Sequence, residues 1–167
     1  MRYAVYRLDE DSRAALVAHF LALSPVDRRL RFGKALSPEA IAGYVDRIDL
    51  DCDAVFVIRD AEHELVGAMH VAMSDDHAEL GLSVLSAHRR RGVGHALLNR
   101  ALSHARNRSV DRIVMHCAAD NTPILRLARK FDMDIVARGG EAIARLDVRP
   151  AFTLPIPRER MPLPLAA

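Results

Sequence analysis

The apolar positions in the first fifty residues follow a strand period and then a helical one. The opening stretch YAVYRL is typical of a short strand. In DEDSRAALVAHFLALS, Leu16, Phe20 and Leu23 recur at helical spacing after an acidic first turn, which predicts a helix. Two Ser-Pro pairs, at 24–25 and 37–38, each match an N-cap followed by proline at the first helical position. They predict two more helices, around PVDRRLRFG and PEAIAGYVDRID.

From residue 53 onward the period changes to that of strands. The runs DAVFVIRD, ELVGAMHVAMS and HAELGLSVL are separated by short polar turns, and we predict that they form an antiparallel meander. GVGHALLNRALSHAR then predicts a helix with one apolar face, DRIVMHC a buried strand, and NTPILRLARKF a helix capped by Asn121. Finally, MDIVARGGEAIARLDV predicts a hairpin that turns at Gly139 and Gly140.

The order of these elements defines the expected architecture. It predicts an α+β fold in which a mixed, mainly antiparallel twisted sheet of about seven strands carries helices on both faces. A chain of 167 residues suits one domain, which we place at 1–149. Residues 150–167 hold five of the eight prolines and predict an extended tail, which could pack on a neighbour and leaves a homodimer open.

Composition narrows the classes of function. The net charge is only +2 and aromatic residues make up 5% of the chain, so neither an extended basic face nor a stacking surface for nucleic acid is indicated. No apolar run is long enough to span a bilayer, and the first residues do not match a secretory signal, so we expect a cytoplasmic protein without a membrane partner. Cys52 and Cys117 lack a metal or redox spacing, and the eight histidines form no ligand motif, so no metal site is expected.

The stretch RRRGVGHALL is the first candidate site. A turn that leads from a strand into a helix leaves backbone N–H groups unpaired, and the helix dipole there favours an anion. Gly92 and Gly94 would let a phosphate approach closely, beside Arg89, Arg90 and Arg91. The turn is neither a Walker loop nor a dinucleotide fingerprint. A solvated arginine face or a nucleic-acid contact remains the alternative.

The strand before this turn carries the second candidate. Ala78, Leu80, Leu82 and Val84 alternate with polar or small residues, so one face of the strand is apolar. Glu79 lies on the other face, next to a space that Gly81 would leave open. A carboxylate buried there would have a raised pKa, which suits a general base. The alternative is an ordinary surface glutamate.

These motifs together resemble a known family. The turn Arg89-x-x-Gly92-x-Gly94 follows ELGLSV, opens a helix, and precedes the strand DRIVMHC and Asn121. In this respect the chain, over roughly residues 3–148, resembles the GNAT superfamily of acyl-CoA-dependent N-acyltransferases. The upstream stretch LSPVDRRLRFGKALSPEAI is also similar to the leader of GNAT domains related to bacterial protein acetyltransferases.

The resemblance implies roles for individual residues. The backbone N–H groups from Arg90 to Gly94 would hold the pyrophosphate of acetyl-CoA, and the N–H near Val84 would polarise the thioester carbonyl. Glu79 would be the catalytic base. The residues that the resemblance assigns to the cosubstrate are Val84, Leu85, Arg89, Arg90, Arg91, Gly92, Val93, Gly94, His95 and Asn121.

The chain departs from the family pattern in three places. Many members have a tyrosine seven residues after the asparagine, placed to protonate the leaving thiolate, but this chain has Ala128 there. Tyr44 is a candidate replacement. The Gly-Phe that follows this helix in the family is 132–133, Asp-Met, here. Cys117, at the end of a strand near the cosubstrate, offers a covalent acyl-enzyme route, although no motif places an activating histidine or lysine beside it.

Three functions follow, in order of preference. The first is an N-acetyltransferase that transfers acetyl from acetyl-CoA, by direct attack, to a primary amine of a small molecule or to a protein lysine. The second is an acyl-CoA-binding regulatory module without turnover. The missing tyrosine is compatible with such a module, but a module of this kind would have no need of a base at Glu79. The third is nucleic-acid binding through residues 89–91, which the composition disfavours.

Overall fold

The computed structural model describes residues 3–148. The predicted tail at 150–167 lies outside them. The helices are α1 (Arg13–Leu21), α2 (Pro25–Phe32), α3 (Pro38–Asp46), α4 (Val93–Asn107) and α5 (Thr122–Lys130). The strands are β1 (Tyr6–Arg7), β2 (Ala54–Arg59), β3 (Leu65–Met73), β4 (His77–Val84), β5 (Arg112–Ala118), β6 (Asp134–Arg138) and β7 (Glu141–Asp147).

The strands form one sheet in the order β1-β2-β3-β4-β5-β7-β6. Every pairing is antiparallel except that of β4 with β5, which is parallel. This confirms the predicted fold class. The first strand is much shorter than the stretch YAVYRL suggested, because only Tyr6 and Arg7 are paired with β2.

The parallel pair is joined over only part of its length. His77, Ala78 and Glu79 pair with residues 112–114 of β5, and no later residue of β4 has a partner there. Beyond Glu79, β4 stays paired with β3 alone and β5 with β7 alone. The sheet therefore opens between these two strands, and Glu79 is the last paired residue before the gap.

Helices cover both faces of the sheet, as the sequence predicted. Side chains of β2 point alternately into two cores, because the strand is buried on both faces. One core joins the sheet to α4 and α5; its largest buried members include Phe56, Ile58, Met69, Leu97, Leu98, Ile113 and Met115. The other joins the sheet to α1 and α3 and includes Leu16, Phe20, Ile41, Val45, Val55 and Val57.

A buried histidine ties α1 to two strands. His19 is 3% exposed; its Nδ1 lies 2.8 Å from the carbonyl of Leu65 and its Nε2 lies 2.8 Å from Oγ of Ser83. Since a carbonyl only accepts, Nδ1 carries the proton and the neutral ring accepts from the serine hydroxyl. Burial lowers the pKa of His19.

This burial predicts a loss of stability in acid. Below about pH 6.5 the unfolded chain binds a proton at His19 that the folded chain resists, so the free energy of unfolding falls as the pH decreases. In urea titrations from about pH 7 to about pH 5, the parent should lose stability more steeply than His19→Gln. Equal slopes would show that His19 is not the group responsible.

Candidate active site

The turn between β4 and α4 is built to expose backbone N–H groups. Gly92 is the N-cap of α4, with φ of +91°, and no side chain caps the helix. Arg90 also has a positive φ, of 57°. The first turn of an α-helix has no internal partners for its N–H groups. Those at Val93 to His95 therefore form a potential anion site that the helix dipole reinforces.

The three arginines of the turn have different surroundings. Arg89 is held in the protein: its Nη2 lies 2.7 Å from Oδ1 of Asp27 in α2, and its Nε donates to the carbonyl of Val84 at 3.1 Å. Although burial opposes the shift, hydrogen bonds from Arg89 and Ser24 hold the pKa of Asp27 below its usual value. Arg90 and Arg91 are exposed. The structure thus ties Arg89 to α2 and leaves the other two facing solvent at the mouth of a cleft.

That cleft, which we call the turn cleft, has a volume of about 1060 Å³ and is lined by the turn, the end of β4, and α2, α4 and α5. Gly94 lines it between β4 and α5, where a Cβ would be in van der Waals contact, at 3.4 Å, with methyl carbons of both Leu82 and Leu127. Asn121 also lines it and caps α5 by accepting from the N–H of Ile124 at 3.4 Å. The lining is apolar beside β4 and basic at the turn.

The edge of β4 presents a backbone N–H group to this cleft. The N–H of Leu85 donates to Val66 in β3 at 3.0 Å, so in the alternating pattern of a strand the N–H of Val84 points away from β3. It points into the gap left by β5. Another residue assigned to the cosubstrate, His95, packs its ring against Phe131, with the two ring centroids 4.8 Å apart.

Glu79, at the point where the gap begins, lines a second cleft of about 780 Å³ that we call the strand cleft. Tyr44, Gly81 and Cys117 also line it. The two clefts share Leu30, Arg31, Leu82, Asn121 and Ile124, so they meet where β4 and β5 separate. Glu79 is therefore close to the point where a ligand in one cleft would reach a ligand in the other.

Two expectations about Glu79 were wrong. Its side chain is exposed rather than buried, because the cleft that it faces is open to solvent. The space beside Gly81 is not vacant either: a Cβ on Gly81 would lie 2.3 Å from Nη2 of Arg31, whose guanidinium fills that space. Sequence alone could not reveal this contact, since it joins residues of α2 and β4 fifty positions apart.

A chain of hydrogen bonds that the sequence did not reveal runs from the strand cleft into the protein. Nη2 of Arg31 donates to the hydroxyl of Tyr44 at 2.9 Å, and this hydroxyl lies 2.7 Å from Nδ1 of His70. Nε2 of His70 lies 3.0 Å from Oδ2 of Asp53, whose Oδ1 accepts the N–H of Met73 at 2.9 Å. Nε2 thus carries the proton, and Nδ1 accepts from Tyr44. Burial lowers the pKa of His70.

Tyr44 and Cys117 were both named as candidates for chemistry, and their surroundings differ. The hydroxyl of Tyr44 is hydrogen-bonded to Arg31 and His70 beside the strand cleft. The thiol of Cys117 donates to the carbonyl of Ala142 at 3.6 Å, and burial raises its pKa. A thiol with a raised pKa is a poor nucleophile at neutral pH. The surroundings of Cys117 therefore do not favour a role as a covalent nucleophile.

A sheet that splits between two parallel strands, beside a glycine-rich helix N-terminus, is the arrangement expected of an acyl-CoA-dependent N-acyltransferase. The model of the acetyltransferase (GNAT) family matches residues 31–133, which is more than half of the chain. The chain belongs to the GNAT acetyltransferase family. Membership of this family makes it an acyl-CoA-dependent N-acetyltransferase, with acetyl-CoA as its cosubstrate.

Solved structures share this fold. The GNAT domain of S. lividans PAT has a TM-score of 0.73 at 19% identity, over 86% of this chain and 89% of that one. An N-acetyltransferase from Staphylococcus aureus Mu50 has a TM-score of 0.70 at 14% identity, over 89% and 100%. The yncA protein from Salmonella typhimurium, solved with its cofactor acetyl-CoA, has a TM-score of 0.69 at 15% identity, over 92% and 98%. No protein with a curated description matches the sequence significantly.

Residues 3–148 show neither a membrane-spanning helix nor a cluster of metal ligands. None of the helices there has both the length and the apolar character needed to cross a bilayer. The same residues contain no group of three or more histidine, cysteine or acidic side chains that could hold a metal ion.

Proposed function

We propose that the protein acetylates a primary amine, of a small molecule or of a protein lysine, by direct attack on acetyl-CoA. The observation that carries this proposal is the position of Glu79. It is the last residue of β4 paired with β5, and it lines the cleft that joins the turn cleft at the gap. A base at that point can accept a proton from an amine that approaches the cosubstrate from the opposite side.

The turn cleft fits acetyl-CoA on three counts. The unpaired N–H groups of residues 93–95 and the exposed Arg90 and Arg91 suit a pyrophosphate. The absent side chain at Gly94 leaves a slot between β4 and α5 for a narrow, extended arm. The N–H of Val84 lies along that slot and would donate to the thioester carbonyl oxygen as negative charge develops there.

The reaction needs few protein groups. When bound, acetyl-CoA supplies an activated acetyl group and a thiolate that leaves readily. The amine enters the strand cleft as an ammonium ion and gives a proton to the carboxylate of Glu79. Glu79 then releases this proton to solvent. The nitrogen bonds to the carbonyl carbon as the C–S bond breaks, coenzyme A leaves as a thiolate, and the second proton goes to the re-ionised Glu79 or directly to solvent. No residue is assigned as an acid for the thiolate.

The test is to follow release of the coenzyme A thiol in the presence of a panel of amines. The panel comprises α-amino acids, their carboxamides, polyamines, arylamines and a lysine-containing peptide. We expect at least one amine to accelerate thiol release well above the rate with water, and mass spectrometry to find the acetyl group on its nitrogen. If acetyl-CoA raised the melting temperature while no amine accelerated release, the non-catalytic binding module would replace this proposal.

A further inference from the structure

Arg31 occupies the boundary between the two clefts. It belongs to α2, but its guanidinium lies against the backbone of β4 at Gly81, the only type of residue that leaves room for it there. Three aromatic rings surround its Cζ: those of Phe32 at 4.8 Å, Tyr44 at 5.6 Å and Phe20 at 5.8 Å. Such contacts hold a cation in a fixed position.

Arg31 forms few polar contacts within the protein. Among residues 3–148, no carboxylate forms a salt bridge with it, whereas its neighbours Arg29 and Arg89 are paired with Asp120 and Asp27. Its one hydrogen bond goes to a neutral hydroxyl, that of Tyr44, and its Nε is buried without a partner. A half-buried guanidinium that forms no salt bridge is available to pair with an anionic group of a ligand.

Arg31 and Glu79 stand at a spacing that suits one small molecule. Gly81, beneath the guanidinium, is two residues from Glu79 on the same face of β4, a separation of about 7 Å between Cα atoms. An α-amino acid carries a carboxylate and an amine a few ångströms apart. With its carboxylate on Arg31, its amine can reach the carboxylate of Glu79 at the mouth of the gap.

We propose that Arg31 binds the carboxylate of the acceptor, so that the enzyme acetylates the α-amino group of a small amino acid in preference to a neutral amine or a protein lysine. This inference rests on the proposed function, because it takes Glu79 to be the base for the acceptor amine. The hydrogen bond from Arg31 to Tyr44, and that from Tyr44 to His70, position the guanidinium for the task. A planar guanidinium matches a carboxylate in bidentate geometry.

The experiment compares amino acids with their carboxamides, which have the same shape but lack the negative charge. A hydrogen bond to a charged group is worth about 1.5–3 kcal/mol, which corresponds to roughly 10- to 100-fold in kcat/KM. We expect the parent to prefer the acid by that factor. Arg31→Gln should remove the preference by raising KM for the acid much more than KM for the carboxamide, which carries no negative charge. Arg31→Lys should keep part of the preference for the acid, because the positive charge remains. The rest should be lost, because lysine lacks the paired N–H donors of a planar guanidinium.

A matched control and four outcomes keep the test decisive. Arg29→Gln removes an exposed cation of the same helix, already paired with Asp120, and should leave the preference intact.

The inference would be overturned if the parent acetylated carboxamides or a lysine peptide as well as it acetylates amino acids. That result would leave the proposed function standing. An equal loss for acid and carboxamide in Arg31→Gln would also overturn it, because Arg31 would then act on a group common to both. A preference for succinyl-CoA over acetyl-CoA that depends on Arg31 would assign the carboxylate to the acyl group instead. No acetylation of any amine would instead contradict the proposed function itself.

Discussion

Replacement of Glu79 by Gln should lower the rate of acetyl transfer at neutral pH by about 10²- to 10⁴-fold, the usual loss when a general base is removed. The substitution keeps the size of the side chain but leaves the acceptor ammonium without a proton acceptor at the gap between β4 and β5. Affinity for acetyl-CoA should hardly change, because Glu79 lines the strand cleft and not the turn cleft. Steady-state kinetics together with a thermal-shift titration measure both effects.

The pH dependence distinguishes a base from a structural residue. Activity of the parent should rise along one ionisation as pH increases. Glu79→Gln should recover part of its deficit at high pH, where the amine is already neutral. Glu141→Gln is the control, since Glu141 is another exposed glutamate that lines the strand cleft. If Glu79→Gln kept full turnover at neutral pH, the base would have to lie elsewhere, and the chain from Tyr44 through His70 to Asp53 would be the next candidate.

Local sequence signals predicted most of the secondary structure. The hydroxyl of Ser24 accepts the N–H of Asp27 at 3.1 Å, and Ser37 caps α3 in the same way, as their Ser-Pro pairs indicated. The hairpin turns at Gly139 and Gly140, both of which have positive φ. These features depend on neighbours a few positions apart, where residue type determines backbone geometry directly. The edge strand β1 was less predictable, because pairing at an edge depends on its partner strand.

The candidate site could be predicted only in part. The glycine turn and the alternation around Glu79 are visible in sequence, since a helix N-terminus and a strand face have fixed periods. The position of Arg31 depends instead on contacts of α2 and α3 with β4, which no local sequence period predicts. The position of His70 could have predicted the chain of hydrogen bonds through Tyr44. A titratable residue within a run of apolar strand positions indicates a buried polar partner. That partner, Asp53, lies seventeen positions away.

Gly94→Val should abolish the stabilisation of the protein by acetyl-CoA. A ligand that binds only the native state adds about 2.7 kcal/mol at a hundredfold excess over its dissociation constant, and this increment should disappear. A Cβ at position 94 would already lie 3.4 Å from Leu82 and Leu127, so the two methyl groups of valine would fill the slot between β4 and α5. Thermal-shift titration with acetyl-CoA measures the loss.

The control for this prediction is Gly94→Ala, whose single methyl group stays at ordinary van der Waals distance. Because position 94 is helical, alanine should stabilise the ligand-free protein by roughly 0.5–1 kcal/mol and preserve the response to acetyl-CoA. Gly92 is unsuitable for this comparison, since its φ of +91° would strain any other residue whether or not a ligand bound there. An undiminished response in Gly94→Val, in a variant that melts cooperatively, would place the cosubstrate outside the slot and remove the turn cleft as its binding site.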